Sequence, residues 1–131
     1  MKKRILIADD DRDFVEVLRE RLESVGYETI CAYEGIRAIQ LANKEQPDAI
    51  ILDWKMPAGQ GSDVLKGLKE RSVTRHIPVL VVTGVDDPDI EEKAVRLGAA
   101  GYLRKPYDGK VLLQKLREIL EMRALEESLG T

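Results

Sequence analysis

The sequence predicts a doubly wound α/β domain around a five-stranded parallel sheet. Three observations point there. Short apolar runs alternate with segments of helical periodicity five times along the chain. No two strand candidates are joined by a hairpin turn, so neighbouring strands run parallel with helices as crossovers. At 131 residues the chain suits one domain with one core.

Each element has a local reason. Arg4 to Asp9 is the first strand, apolar from Ile5 to Ala8. The first helix runs from Arg12 to about Val25, with Phe14, Leu18 and Leu22 four apart on one face. Asp11 is suited to cap it and Gly26 to stop it. Tyr27 to Ala32 is the second strand. The second helix, Gly35 to Gln46, carries Ile36, Ile39 and Ala42 at helical spacing, and Pro47 ends it. Asp48 to Asp53 is the third strand, and a helix from about Ser62 to Arg71 follows. Ile77 to Thr83 is the fourth strand, with Pro78 tolerable near its start. Asp87-Pro88 opens the fourth helix, the acid as cap and proline at the first helical position; Gly98 closes it. Gly101 to Arg104 is a short fifth strand. The last helix begins near Asp108 and carries Leu112, Leu116, Ile119 and Leu120.

Strands 1, 3 and 4 are nearly continuous apolar runs, as interior parallel strands should be. Strands 2 and 5 are shorter or more polar, as edges should be. Right-handed crossovers then give the order 2-1-3-4-5, a flavodoxin-like (βα)5 arrangement with helices on both faces. Ligands of such sheets lie beyond the carboxyl ends of the strands, where the winding reverses between strands 1 and 3.

Those ends carry acids. Ile5-Leu6-Ile7-Ala8 runs into Asp9-Asp10-Asp11, and Ala49-Ile50-Ile51-Leu52 into Asp53. Adjacent strands lie roughly 5 Å apart, so Asp9, Asp10 and Asp53 can share one ion. Asp11 is assigned mainly to capping. Thr83 and Lys105 fall at the same end of the sheet. Three carboxylates and one ammonium sum to −2, which calls for a divalent cation. Hard oxygen ligands select Mg²⁺ or Ca²⁺, and a few carboxylates with room for water and a phosphate favour Mg²⁺. Asp53 can then attack phosphorus as a carboxylate nucleophile. Lys105 can screen the transferred oxygens and Thr83 can donate a hydrogen bond to one of them.

The set Asp9-Asp10, Asp53-Trp54-Lys55-Met56-Pro57 with Gly61, Thr83-Gly84 and Gly101-Tyr102-Leu103-Arg104-Lys105-Pro106 resembles the receiver domains of two-component response regulators. The resemblance runs from the first strand to the final helix. It implies that Asp53 accepts phosphate, that Asp10 ligates the metal directly and that Asp9 acts mostly through metal-bound water. The Lys55 backbone carbonyl is implied as a further ligand, and the ion as Mg²⁺, or Mn²⁺ in its place. Thr83 and Tyr102 resemble a coupled switch. The Lys105-Pro106 bond is expected to be cis. Ala58-Gly59-Gln60-Gly61 departs slightly from the family, which often has an acid before the last glycine. Val85 is apolar where the family tunes the lifetime of the phosphorylated state, which favours slow hydrolysis.

The resemblance further implies a phosphorelay partner, either a histidine kinase or a histidine phosphotransfer protein. Phosphorylation would switch the face of helix 4, strand 5 and helix 5 for a downstream protein or a covalently linked effector domain. A phosphorylation-dependent dimer is compatible with this. The domain is expected over residues 1–122, with 123–131 a helical extension or the start of a linker. The domain itself is expected to act as a signalling module, catalysing only its own phosphorylation and dephosphorylation. The competing reading is a Mg²⁺-dependent phosphatase with an aspartyl-phosphate intermediate; such enzymes carry a second Asp two residues after the nucleophile, where this chain has Lys55.

Composition excludes other classes. The net charge of −3 makes no electrostatic case for direct nucleic-acid contact. No apolar stretch approaches the roughly 20 residues that span a bilayer. The segment after Met1-Lys2-Lys3-Arg4 runs into Asp9 too soon for a signal peptide. A single cysteine, Cys31, forms no internal disulfide and is read as packing. Together these fit a cytoplasmic protein. His76 is expected in a loop without function, and Trp54 as a surface-facing neighbour of the site.

Overall fold

A computed structural model describes residues 2–55, 61–84 and 87–130. The expected elements are present: β1 (Arg4–Ala8), α1 (Arg12–Ser24), β2 (Glu28–Ala32), α2 (Gly35–Glu45), β3 (Ala49–Asp53), α3 (Gly61–Glu70), β4 (Val79–Thr83), α4 (Pro88–Arg96), β5 (Gly101–Arg104) and α5 (Gly109–Leu129). The five strands form one sheet in the order β2-β1-β3-β4-β5, all pairs parallel.

The two-residue period of the strands divides the core into two layers. Leu6, Ala8, Ile50, Leu52, Val79 and Val81 face one side, where Ala38, Leu41, Ala42, Leu65, Leu68, Ile90 and Ala94 of α2, α3 and α4 cover them. Ile5, Ile7, Ala49, Ile51, Leu80 and Val82 face the other, under Val15, Leu18, Leu22, Leu112 and Leu116 of α1 and α5. Each fully buried Leu or Ile contributes about 1.5–3 kcal/mol of transfer free energy.

Helix ends follow the expected chemistry. The Asp11, Asp87 and Asp108 side chains accept from the amides of Phe14, Asp89 and Lys110. Gly26 and Gly98 take the left-handed backbone beyond α1 and α4, at φ 98° and 102°. Residues before proline avoid helical backbone, so α2 ends at Glu45 and Gln46 turns left-handed before Pro47.

Three expectations need correction. Ile36 is 58% exposed, because α2 rests on Ala38, Leu41 and Ala42 with Ile39 alongside. β4 begins at Val79 rather than Ile77, since Pro78 has no amide for the ladder. Trp54 is buried, not surface-facing: it is 8% exposed and belongs to the layer under α2, α3 and α4. Met56 to Gln60, Val85 and Thr131 lie outside the described residues, so the expectations for that loop and for Val85 do too.

α5 is one continuous helix through residue 129. The Arg123 guanidinium donates to the carbonyls of Pro47, at 3.2 Å, and Asp48, at 2.6 Å, and pairs with Glu127. Residues 123–129 are therefore helical and tied to the amino-terminal edge of β3, away from the acidic end. Among the described residues, no helix is long and apolar enough to cross a membrane.

Candidate metal and phosphoryl site

The strand register builds the site. Ala8 pairs with Leu52 and Asp53 with Val82, so β1, β3 and β4 end level with one another. The next residue of β1, Asp9, anchors its amide on the Ala32 carbonyl at 3.0 Å. Lys105 follows β5 in the same way, its amide donating to the Thr83 carbonyl at 2.8 Å. Parallel strands thus deliver two carboxylates and one ammonium to a single sheet edge.

Asp9, Asp10 and Asp53 offer carboxylate oxygens all within 4.8 Å of one another. Two ligands on opposite sides of an octahedral Mg²⁺ lie about 4.2 Å apart, twice its roughly 2.1 Å bond length, so small side-chain adjustments suffice. The donors are all hard oxygens, which suits Mg²⁺ or Mn²⁺ rather than a soft-ligand metal. The residues present fit a divalent cation.

Asp9 and Asp53 are 3% and 8% exposed, whereas Asp10 faces solvent. Burial pushes the Asp53 carboxyl up to about 6. The negative charge of Asp9 adds to that rise, Lys105 and the Lys55 amide oppose it, and Asp10 adds a little more. The Lys55 amide lies 3.4 Å from Asp53 Oδ1. Three acids beside a single ammonium leave a net negative charge, and Asp9 holds the ammonium directly while Asp53 is buried beside it.

Lys105 Nζ donates to Asp9 Oδ2 at 2.7 Å. The strand pattern puts Lys105 at the acidic end of the sheet without choosing among the acids; Asp9 is its direct partner. The Lys105-Pro106 peptide is cis, as expected. Thr83 is fully buried at the tip of β4. Tyr102 pairs with Val81, two residues before Thr83, so Tyr102 and Thr83 share the sheet face toward α4. Lys55 is exposed at the start of the loop after β3. His76 lies between α3 and β4, far along the sheet from the acids, with burial lowering its pKa.

One contact was missed in the sequence. Lys105 Nζ lies 3.9 Å from the centroid of the Phe14 ring, and that ring meets Tyr107 edge-on at 6.1 Å. Phe14 is one helical turn after Asp10, a spacing that places both toward the same end of α1.

A 2-1-3-4-5 parallel sheet with carboxylates at its switch point is the CheY-like form of the flavodoxin-like fold. The family model for the response regulator receiver domain matches residues 5–117, and the chain belongs to that family. It is a receiver domain of two-component signalling. It is 33% identical to the response regulator PleD of Caulobacter vibrioides, over 98% of this chain and 28% of that protein. It is 32% identical to the polar-differentiation response regulator DivK of Brucella anthropi, over 92% of this chain and 98% of that one. A CheY-like receiver-domain crystal structure from Methanospirillum hungatei superposes with a TM-score of 0.89 at 28% identity, covering 96% of this chain and 99% of that one. The chain thus spans less than a third of PleD and nearly all of DivK.

Proposed function

We propose that this receiver domain is a switch driven by phosphorylation of Asp53. The carrying observation is the buried Asp53 carboxylate, clustered with Asp9 and Asp10 and faced by Lys105 across the same sheet edge. The donor is a phosphohistidine on a histidine kinase or a histidine phosphotransfer protein. An Asp53 oxygen forms the new bond to phosphorus as the P–N bond breaks. The electron pair leaves with the imidazole, which departs neutral because its other nitrogen carries a proton.

Asp10, Asp53 and the Lys55 backbone carbonyl would hold Mg²⁺, with Asp9 acting through water. When bound, the ion supplies positive charge to the phosphoryl oxygens. Lys105 contributes the second positive charge from the β5 side. The Thr83 hydroxyl donates to a phosphoryl oxygen, and Tyr102 follows it on the same sheet face. That motion shifts the population of the α4-β5-α5 face toward a form that binds a downstream protein, a linked effector domain or a second copy. The phosphatase reading gains no support, because Lys55 offers no acid two residues beyond Asp53.

Incubation with Mg²⁺ and a small phosphodonor should add one phosphoryl group, read by intact mass. Asp53→Asn should abolish it. Persistent labelling of that variant would move the acceptor elsewhere.

A further inference from the structure

Lys105 is gripped from two sides, and only one of them is an acid. Its ammonium is 2.7 Å from Asp9 Oδ2 and 3.9 Å from the centre of the Phe14 ring, with the side chain 22% exposed. We propose that Phe14 is a positioning residue for Lys105, its ring face holding the ammonium at the rim of the acidic cluster. This rests on the reading of Asp53 as phosphoacceptor and adds a residue to that site.

The chemistry favours a ring here. An ammonium has three N–H donors and Asp9 takes one. A further carboxylate would consume another and add negative charge to a cluster already short of cations. An aromatic face attracts the ammonium through its quadrupole and occupies none of the acceptors the site requires. Donors therefore remain for a phosphoryl oxygen, while partial burial of the lysine limits competition from water.

The ring is itself fixed. The Phe14 amide donates to the Asp11 cap at 3.1 Å, which pins the first turn of α1. Its ring packs edge-on against Tyr107 at an interplanar angle of 86°. Tyr107 lies two residues after Lys105, so the segment that carries the lysine also clamps the ring that holds it. Phe14, Lys105 and Tyr107 together line a groove of about 410 Å³ between α1 and the start of α5.

The test uses the full chain with Mg²⁺ and two donors of different shape, acetyl phosphate and phosphoramidate. Phe14→Leu keeps an apolar side chain but removes the ring face. Its labelling rate should fall about 2- to 30-fold, equally with both donors, and Phe14→Trp should restore most of the rate. Fluorinated phenylalanines at position 14 keep the shape and drain the ring face, so the rate should fall stepwise with each fluorine. A flat fluorine series, or Phe14→Leu labelling at the wild-type rate, overturns the proposal. A readout independent of phosphoryl transfer is the Lys105 ε-methylene proton resonance. It should be shifted upfield by the ring and return to its ordinary position in Phe14→Leu. If the wild-type chain takes no label, the reading of Asp53 falls and this resonance alone decides; an unshifted signal in the wild type overturns the role of Phe14.

Discussion

Replacing Asp53 by Asn should make the metal-free protein more stable, by an amount that depends on pH. Burial, and then repulsion from the Asp9 charge, push the carboxyl up to about 6 from the ordinary 3.8. A raised pKa means the folded state holds that proton more tightly than the unfolded one. The stabilisation from this protonation is complete below pH 3.8 and is lost as pH rises through about 6. Above that, the ionised Asp53 costs about 3 kcal/mol. Asparagine has nearly the same shape and no charge. The variant should therefore be more stable by about 3 kcal/mol at pH 7.5, and by about 1 kcal/mol at pH 4.5. Urea unfolding in the presence of a chelator reads this directly. With a slope of roughly 1–3 kcal/mol per molar, the midpoint should rise by about 1–3 M at pH 7.5. Saturating Mg²⁺ should stabilise the wild type and narrow the gap. Equal midpoints at pH 7.5, or a difference that does not shrink on acidification, would refute the account of the site's charge.

Two further outcomes bear on the same edge of the sheet. Trp54 is the only tryptophan, adjoins Asp53 and is buried, so millimolar Mg²⁺ should alter its emission; an unchanged spectrum would count against a cation at this cluster. A Cβ added at Gly61 would stand 2.5 Å from both the Cα and the carbonyl oxygen of Trp54, and the Gly61 amide already donates to that oxygen at 2.7 Å. Since both obstacles are backbone, Gly61→Ala should lose about 1–3 kcal/mol, and a variant with the wild-type urea midpoint would refute a close packing of Gly61 on the Trp54 backbone.

Much of the fold was legible because interior parallel strands advertise themselves. Buried on both faces, β1, β3 and β4 are apolar without a break over Ile5–Ala8, Ala49–Leu52 and Val79–Val82, and that continuity separates them from the edges. Helix ends were legible for a local reason as well, since the Asp11, Asp87 and Asp108 caps and the Gly26 and Gly98 stops act within one turn. The second helix was read less well. Its apolar residues support two overlapping stripes, and its rotation is settled by α3, where Gly67 admits Ile39 closely while Ile36 is left outside. Trp54 was misplaced because it lies just past a strand end, where periodicity stops. Its side chain packs in the layer under α2, α3 and α4, and its carbonyl accepts from the Gly61 amide seven residues on, contacts that no local pattern announces.

That acids crown the strands at the switch point, with Lys105 at the same end and a charge count suited to a divalent ion, is written in the chain. Those features follow from alternation, strand polarity and residue identity, all written locally. Which acid takes the lysine, which ring lies against it and which carboxyl is pushed up by burial came from packing between distant segments. Asp9 and Lys105 are 96 residues apart, and their 2.7 Å contact exists because β1 and β5 end at the same edge. Desolvation and pair energies depend on distance and access to water, and packing sets both.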